Sequence, residues 1–168
     1  TPARRGLDSL EYLLFNDDLA DSCETGSPED WNNQSEGYRK VARCEFATEV
    51  ALDIVNSANS LVTQWTAADG YAAMLKQAGD EGSEFATQHD AVNRISDAMF
   101  YLDSKTKDVK LAEPLGLFIN KCGSAPCPEE VESKYASQSI THILNNLLAF
   151  NRLLSGDDGS GFVDFLID

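Results

Sequence analysis

Positive charge is scarce in this sequence. Lys and Arg number 13 against 28 Asp and Glu, for a net charge of -15 at neutral pH. Such a surface repels a phosphate backbone or an anionic lipid sheet, so nucleic acid and membrane surfaces are excluded as leading partners. Long apolar runs are missing too. No stretch approaches the roughly 20 apolar residues that span a bilayer, so no transmembrane segment is expected in this chain. The start, TPARRGLDSLEYLLF, lacks the layout of a cleavable signal. Any targeting segment is expected to have been removed or to lie upstream. Alternating apolar and polar residues, tandem repeats and low-complexity stretches are also absent, which leaves little room for sheet. There are 2 histidines, neither close in sequence to a cysteine, and no C-x-x-C pair, so the usual zinc-site spacings are not met.

Against these absences stand 168 residues, 42% of them hydrophobic, enough for one globular domain. Helical periodicity runs through the chain. From Gly37 to about Thr66 the residues Ala47, Val50, Ala51, Ile54, Ala58, Leu61, Val62 and Trp65 recur at three- and four-residue steps, uninterrupted by Pro or Gly after Gly37. Phe85, Val92, Ile95, Met99 and Leu102 predict a second helix over 83–103, with Ser83 as a plain N-cap rather than part of a capping box. A third is expected from Pro128 to about Ser155. Pro128 suits its first turn, Glu129, Glu130 and Glu132 suit its N-terminal dipole, and Gly156 is a natural stop. Val131, Tyr135, Ile140, Ile143, Leu147 and Leu154 would form its buried stripe. Short helices are expected over 7–15 and 71–78, with irregular stretches over 16–36, 104–127 and 157–161. The fold class is therefore all-α, an up-and-down helical bundle.

Cysteine spacing bears on compartment. Cys122 and Cys127 bracket Gly-Ser-Ala-Pro, a turn that lets two sulfurs meet, and Cys23 and Cys44 lie in or beside another loop. The favoured pairing is 122–127 with 23–44, ahead of a metal cluster, and implies an oxidising compartment such as a bacterial periplasm. Both chain ends look cut: 7–15 is apolar on nearly every face, and the tail GFVDFLID starts a helix that stops after one or two turns. The expectation is a single helical domain over 1–168, truncated at both ends.

Four stretches carry a family resemblance: RRGLDSLEYLLF, RCEFATEVALDIVNSANSLVTQW, KLAEPLG and CPEEVESKYASQSITHILNNLLAFNRLL. In this order they resemble successive landmarks of the imelysin family, also called insulin-cleaving membrane protease-like proteins, over nearly the whole chain. No one of them is diagnostic alone. The resemblance implies a bacterial, exported, all-helical protein, one segment of a larger architecture of two bundle-like halves, from which the amino-terminal region and final helices are missing. Its location would be the periplasm or cell envelope, with a lipid anchor as one form of attachment. Several members are iron-regulated and related to Efe-type iron-uptake components, which implies iron as the metal ion and an iron-uptake partner; calcium enters as a candidate cofactor only through the carboxylate pair Asp8 and Glu11. The family's classification implies a peptidase.

Family members often carry a G-x-H-x-x-E motif, proposed as a metal or catalytic site. Here it aligns with Gly6, Asp8 and Glu11, just after Arg5: Gly and Glu are kept and His is replaced by Asp. Carboxylates three residues apart share a helix face, so both could reach one ion, and they favour harder cations than an imidazole does. For Asp8 a first-turn position beside free amides, with no ligand, is the stronger reading. Glu11, among leucines, needs a partner: a metal, or Arg4, Arg5 or an arginine from another helix. Its neighbours Leu10, Leu13 and Leu14 are expected inside the bundle, with Glu11 facing a polar pocket and Asp8 at its rim.

Other groups read more plainly. His89 and His142 suit packed or surface positions. Ser133, Ser137 and Ser139 resemble the family's Glu-Ser-x-x-Ser stretch; without a base and an oxyanion hole in view they read as helix-packing residues rather than nucleophiles. SGDDGSGFVDF lacks EF-hand ligand spacing and reads as a turn. Lys110, in KLAEPLG, could pair with a carboxylate across the bundle or lie exposed in a loop. Binding ranks above hydrolysis because the motif's His is missing.

Overall fold

The structure is a computed structural model that describes residues 5–21 and 31–166. Its regular secondary structure is helical; among the described residues the only β pairing is an isolated antiparallel bridge between Asn120 and Gly123. Contacts divide the chain into two compact units, Thr1–Gly70 and Tyr71–Asp168.

In the first unit, α1 (Leu7–Phe15) packs on α2 (Glu36–Thr66). Ser35 starts α2 by accepting the Tyr38 amide at 3.2 Å, satisfying one of the free first-turn donors. The core holds Ala47 and Val50, with Ala51 and Ile54 beside them, but the expected stripe does not stay covered: Leu61, Val62 and Trp65 are exposed. Length explains this, since nine residues of α1 reach about 14 Å along a helix of about 46 Å. Leu10 and Leu13 are half-buried, whereas Leu14 is 55% exposed, not packed inside as its apolar neighbours suggest. A helix with one neighbour covers one stripe, however apolar its other faces are.

The second unit contains α3 (Tyr71–Lys76), α4 (Gln88–Met99), a π-helix (Leu102–Ala112), the single turn α5 (Glu113–Leu115), a 3-10 turn (Pro128–Glu130), α6 (Ser139–Ser155) and a 3-10 turn (Phe162–Leu166). Three expectations change here. α4 is capped by Thr87, not Ser83, with a capping box: the Asp90 amide reaches Thr87 Oγ1 at 3.1 Å and the Thr87 amide reaches Asp90 Oδ2 at 3.0 Å. Asp at the third helical position does the work usually assigned to Glu or Gln. The first part of the expected 104–127 loop is the π-helix, its end marked by the Glu113 amide bonding to Asp108 O. Nothing between Tyr101 and Pro114 breaks a helix, so the chain stays coiled, in the wider form.

The third helix starts at Ser139, not Pro128. Ser133 and Ser137 have φ of +51° and +56°, values no right-handed helix contains. The glutamates that could have favoured a helix start are spent on tertiary ion pairs instead: Glu129 with Lys134 at 2.5 Å, Glu130 with Lys121 at 3.3 Å and Glu132 with Lys110 at 3.1 Å. Its expected buried stripe is covered only in part: Ile143 and Leu154 are half-buried, while Ile140 is 74% exposed and Tyr135 and Leu147 are exposed. An open cavity of about 920 Å³ lies between α4 and α6, walled by Val92, Met99, Phe100, Phe150, Leu154 and Phe162.

The Cys122–Cys127 disulfide is formed, with Cα atoms 5.6 Å apart. Cys44 is exposed with a free thiol; Cys23, its expected partner, lies outside the described residues. Arg4 lies outside them as well. No described helix is long and apolar enough to cross a membrane.

Candidate functional site

The G-x-D-x-x-E stretch lies at the start of α1. Gly6 is the N-cap, with extended backbone and no side-chain cap, and Asp8 is exposed in the first turn, where the open amides stabilise its charge. Glu11 is half-buried and not a free group. Arg5 turns away to α2, where its Nη1 meets Asp53 Oδ2 at 2.8 Å over an open cavity of about 680 Å³ that Gly6, Asn56 and Ser57 also line. Among the described residues, no group of three or more His, Cys, Asp or Glu gathers to hold a metal. Two carboxylates fall well short of the roughly six to eight oxygens that calcium takes.

The other end of α1 is held by a residue the sequence did not single out. Arg43 of α2 donates from Nη2 to the carbonyls of Tyr12, Leu13 and Asn16 at 2.8, 2.9 and 2.9 Å, and from Nη1 to Asp18 O at 3.1 Å. These include carbonyls that a helix end leaves without partners. The guanidinium also lies 5.7 Å from the Tyr12 ring centroid.

The densest polar cluster is in the second unit. The Lys110 side chain is only 12% exposed; its Nζ lies 2.9 Å from Asn146 Oδ1, 3.1 Å from Glu132 Oε2 and 5.7 Å from the Tyr101 ring centroid. Glu132 Oε2 is buried and held by ionic contact without a well-aligned hydrogen bond. His142 Nδ1 lies 3.7 Å from the same oxygen and 3.1 Å from Ser133 Oγ, and the Ser139 hydroxyl donates to Glu132 O. One lysine thereby ties the π-helix, the 131–138 turn and α6 together. Of the serines picked out from the sequence, Ser133 and Ser139 join this cluster, and Ser137 stands exposed. His89 is exposed on α4, with Nδ1 3.5 Å from Asn93 Nδ2.

This cluster is not arranged as a nucleophilic triad. A triad uses the two imidazole nitrogens separately, one for the hydroxyl and one for the orienting acid. Here Ser133 and Glu132 both approach Nδ1. The arrangement holds backbone and side chains of three segments in place.

A family model described as Imelysin matches residues 1–168. The chain belongs to the imelysin family. No curated protein and no solved structure matches it. The four imelysin-like stretches meet in pairs. RRGLDSLEYLLF and RCEFATEVALDIVNSANSLVTQW join as α1 on α2, through Arg43; KLAEPLG and CPEEVESKYASQSITHILNNLLAFNRLL join through Lys110, Glu132 and Asn146. Glu132 and Asn146 could have been suspected only as the counter-charge and amide that a buried lysine requires.

Proposed function

We propose that this imelysin is an exported, periplasmic binding protein for a metal ion or metal complex, iron foremost, whose cargo meets Asp8 and Glu11. The metal is cargo here rather than a resident cofactor, so two carboxylates on one helix face are enough to begin a weak site that water or the cargo's own chelator completes. The observation that carries binding over hydrolysis is the crowding of Ser133 and Glu132 onto one nitrogen of His142, with the motif's own His replaced by Asp8.

Equilibrium dialysis of the full-length protein against ferric nitrilotriacetate, manganese and calcium tests the reading, alongside incubation with unstructured peptides in the same metals. Uptake that Asp8→Asn and Glu11→Ala each weaken, without peptide cleavage, is the expected result. Metal-dependent cleavage lost in Glu11→Ala would establish a peptidase instead.

A further inference from the structure

Between the π-helix and the polar cluster lies a closed loop that the binding proposal does not use. Gly116, at φ +76°, packs so tightly that a Cβ would sit 2.6 Å from the Ala125 carbonyl carbon. Asn120 Nδ2 donates to Glu113 O at 2.6 Å and to Ala125 O at 3.0 Å, while the Cys127 amide donates to Pro114 O at 2.8 Å. Cys127 is fully buried and Cys122 is exposed. The disulfide thus closes the 122–127 ring at the residue immediately before Pro128, and the Asn120 and Cys127 hydrogen bonds tie that ring back to Glu113 and Pro114 at the end of the π-helix. Five residues on from Cys127 stands Glu132, the partner of Lys110. The intervening stretch has no regular helix of its own beyond one 3-10 turn, and Ser133 adopts a left-handed backbone that side-chain contacts must maintain.

We propose that the Cys122–Cys127 disulfide is a redox-controlled staple for the 128–138 segment: oxidised, it fixes Glu132 and Ser133 against Lys110 and His142, and reduced, it releases them while α6 stays folded. The exchange is directional. A thiolate of a dithiol reductant can reach only the exposed Cys122 Sγ; a new S–S bond forms there and the electron pair of the old bond leaves on Cys127 Sγ. The reductant's second thiolate then displaces Cys122, so the dithiol is oxidised and both cysteines are reduced.

The test is limited trypsin digestion of the full chain before and after treatment with dithiothreitol, with free thiols counted to confirm reduction. Lys134 lies inside the segment and Arg152 lies in α6 as an internal control. Cleavage after Lys134 should accelerate by about tenfold or more, within the roughly fortyfold that closing so short a ring is worth, with cleavage after Arg152 unchanged. Cys122→Ser, which keeps the buried Cys127 side chain, should show the fast Lys134 cleavage without reductant. An unchanged rate at Lys134 in verified reduced protein overturns the proposal. So does equal acceleration at Lys134 and Arg152, which would make the disulfide a support for the whole unit.

Discussion

The two units hold together by different means. In Thr1–Gly70 two helices lie side by side over a small apolar core, and one arginine anchors the shorter helix to the longer. In Tyr71–Asp168 the fully buried positions are scattered, and the path of the chain between helices is set by Lys110, the ion pairs around 129–132 and a disulfide. Helices that face each other along a stripe need only the right periodicity. Turns that cross from one helix to another need a partner for each polar group they bury.

Breaking the arginine should do the most damage. Arg43→Ala takes the guanidinium donor from Leu13 O, Asn16 O and Tyr12 O, the last of which keeps the Asn16 amide, and is expected to cost about 3 kcal/mol, seen as a lower urea midpoint with loss of α1 helicity by circular dichroism. If the midpoint holds, α1 is fixed by its apolar contacts and the contrast between the units weakens.

Lys110→Met strips Glu132 of its main cation and should cost about 2 kcal/mol, less than a fully enclosed pair because the Glu132 side chain is 34% exposed. The double variant Lys110→Met/Glu132→Leu should recover a good part of that loss, since removing both charges leaves none unpaired. A double variant no better than the single one would mean that Asn146 and Tyr101, rather than the ion pair, carry the contact.

Leu14→Ala is a smaller matter in the first unit. Full burial would make it cost about 2–5 kcal/mol, but with Leu14 55% exposed the expected loss is below about 1 kcal/mol in the same unfolding assay.

Ser137→Gly tests the turn by the sign of its effect. At φ +56° and exposed, the change should stabilise by about 0.5 kcal/mol, whereas inside a helix it would cost about 0.5 kcal/mol. A destabilised variant would restore the long helix from Pro128.

The smallest effect is expected from the surface pair beside it. Lys134 holds the Glu129 carboxyl below its usual 4.5, so the stabilisation is present above that value and disappears as the pH falls through the lowered one. Both groups face water, so Glu129→Gln should flatten the acid limb of a pH–stability curve only slightly, and salt should shrink the difference further.

How much of this could be read in advance varies along the chain. The spans of α1 and α2 follow from apolar spacing, and the 122–127 disulfide from a turn-rich gap between cysteines. The sequence leaves Lys110 either paired with a carboxylate across the bundle or exposed in a loop, and only the residues around it decide for the pair. The 128–138 segment looks like a helix start because of Pro128 and three glutamates, and nothing local reveals that those charges are taken by Lys110, Lys121 and Lys134. The candidate carboxylates Asp8 and Glu11 were legible as a spacing, but what surrounds a spacing depends on the neighbouring helix.

By itself, then, the sequence determined an all-α protein with a negative surface, its longest helix and its short disulfide ring, because periodicity, net charge and close cysteine spacing are properties of a chain read in order. Only the tertiary structure decided where α6 begins, that the 102–112 stretch coils as a π-helix, which half of the α2 stripe is covered and which groups face Lys110. Each of these depends on partners distant in sequence, and a buried charge or an apolar stripe has no energy of its own until those partners are in place.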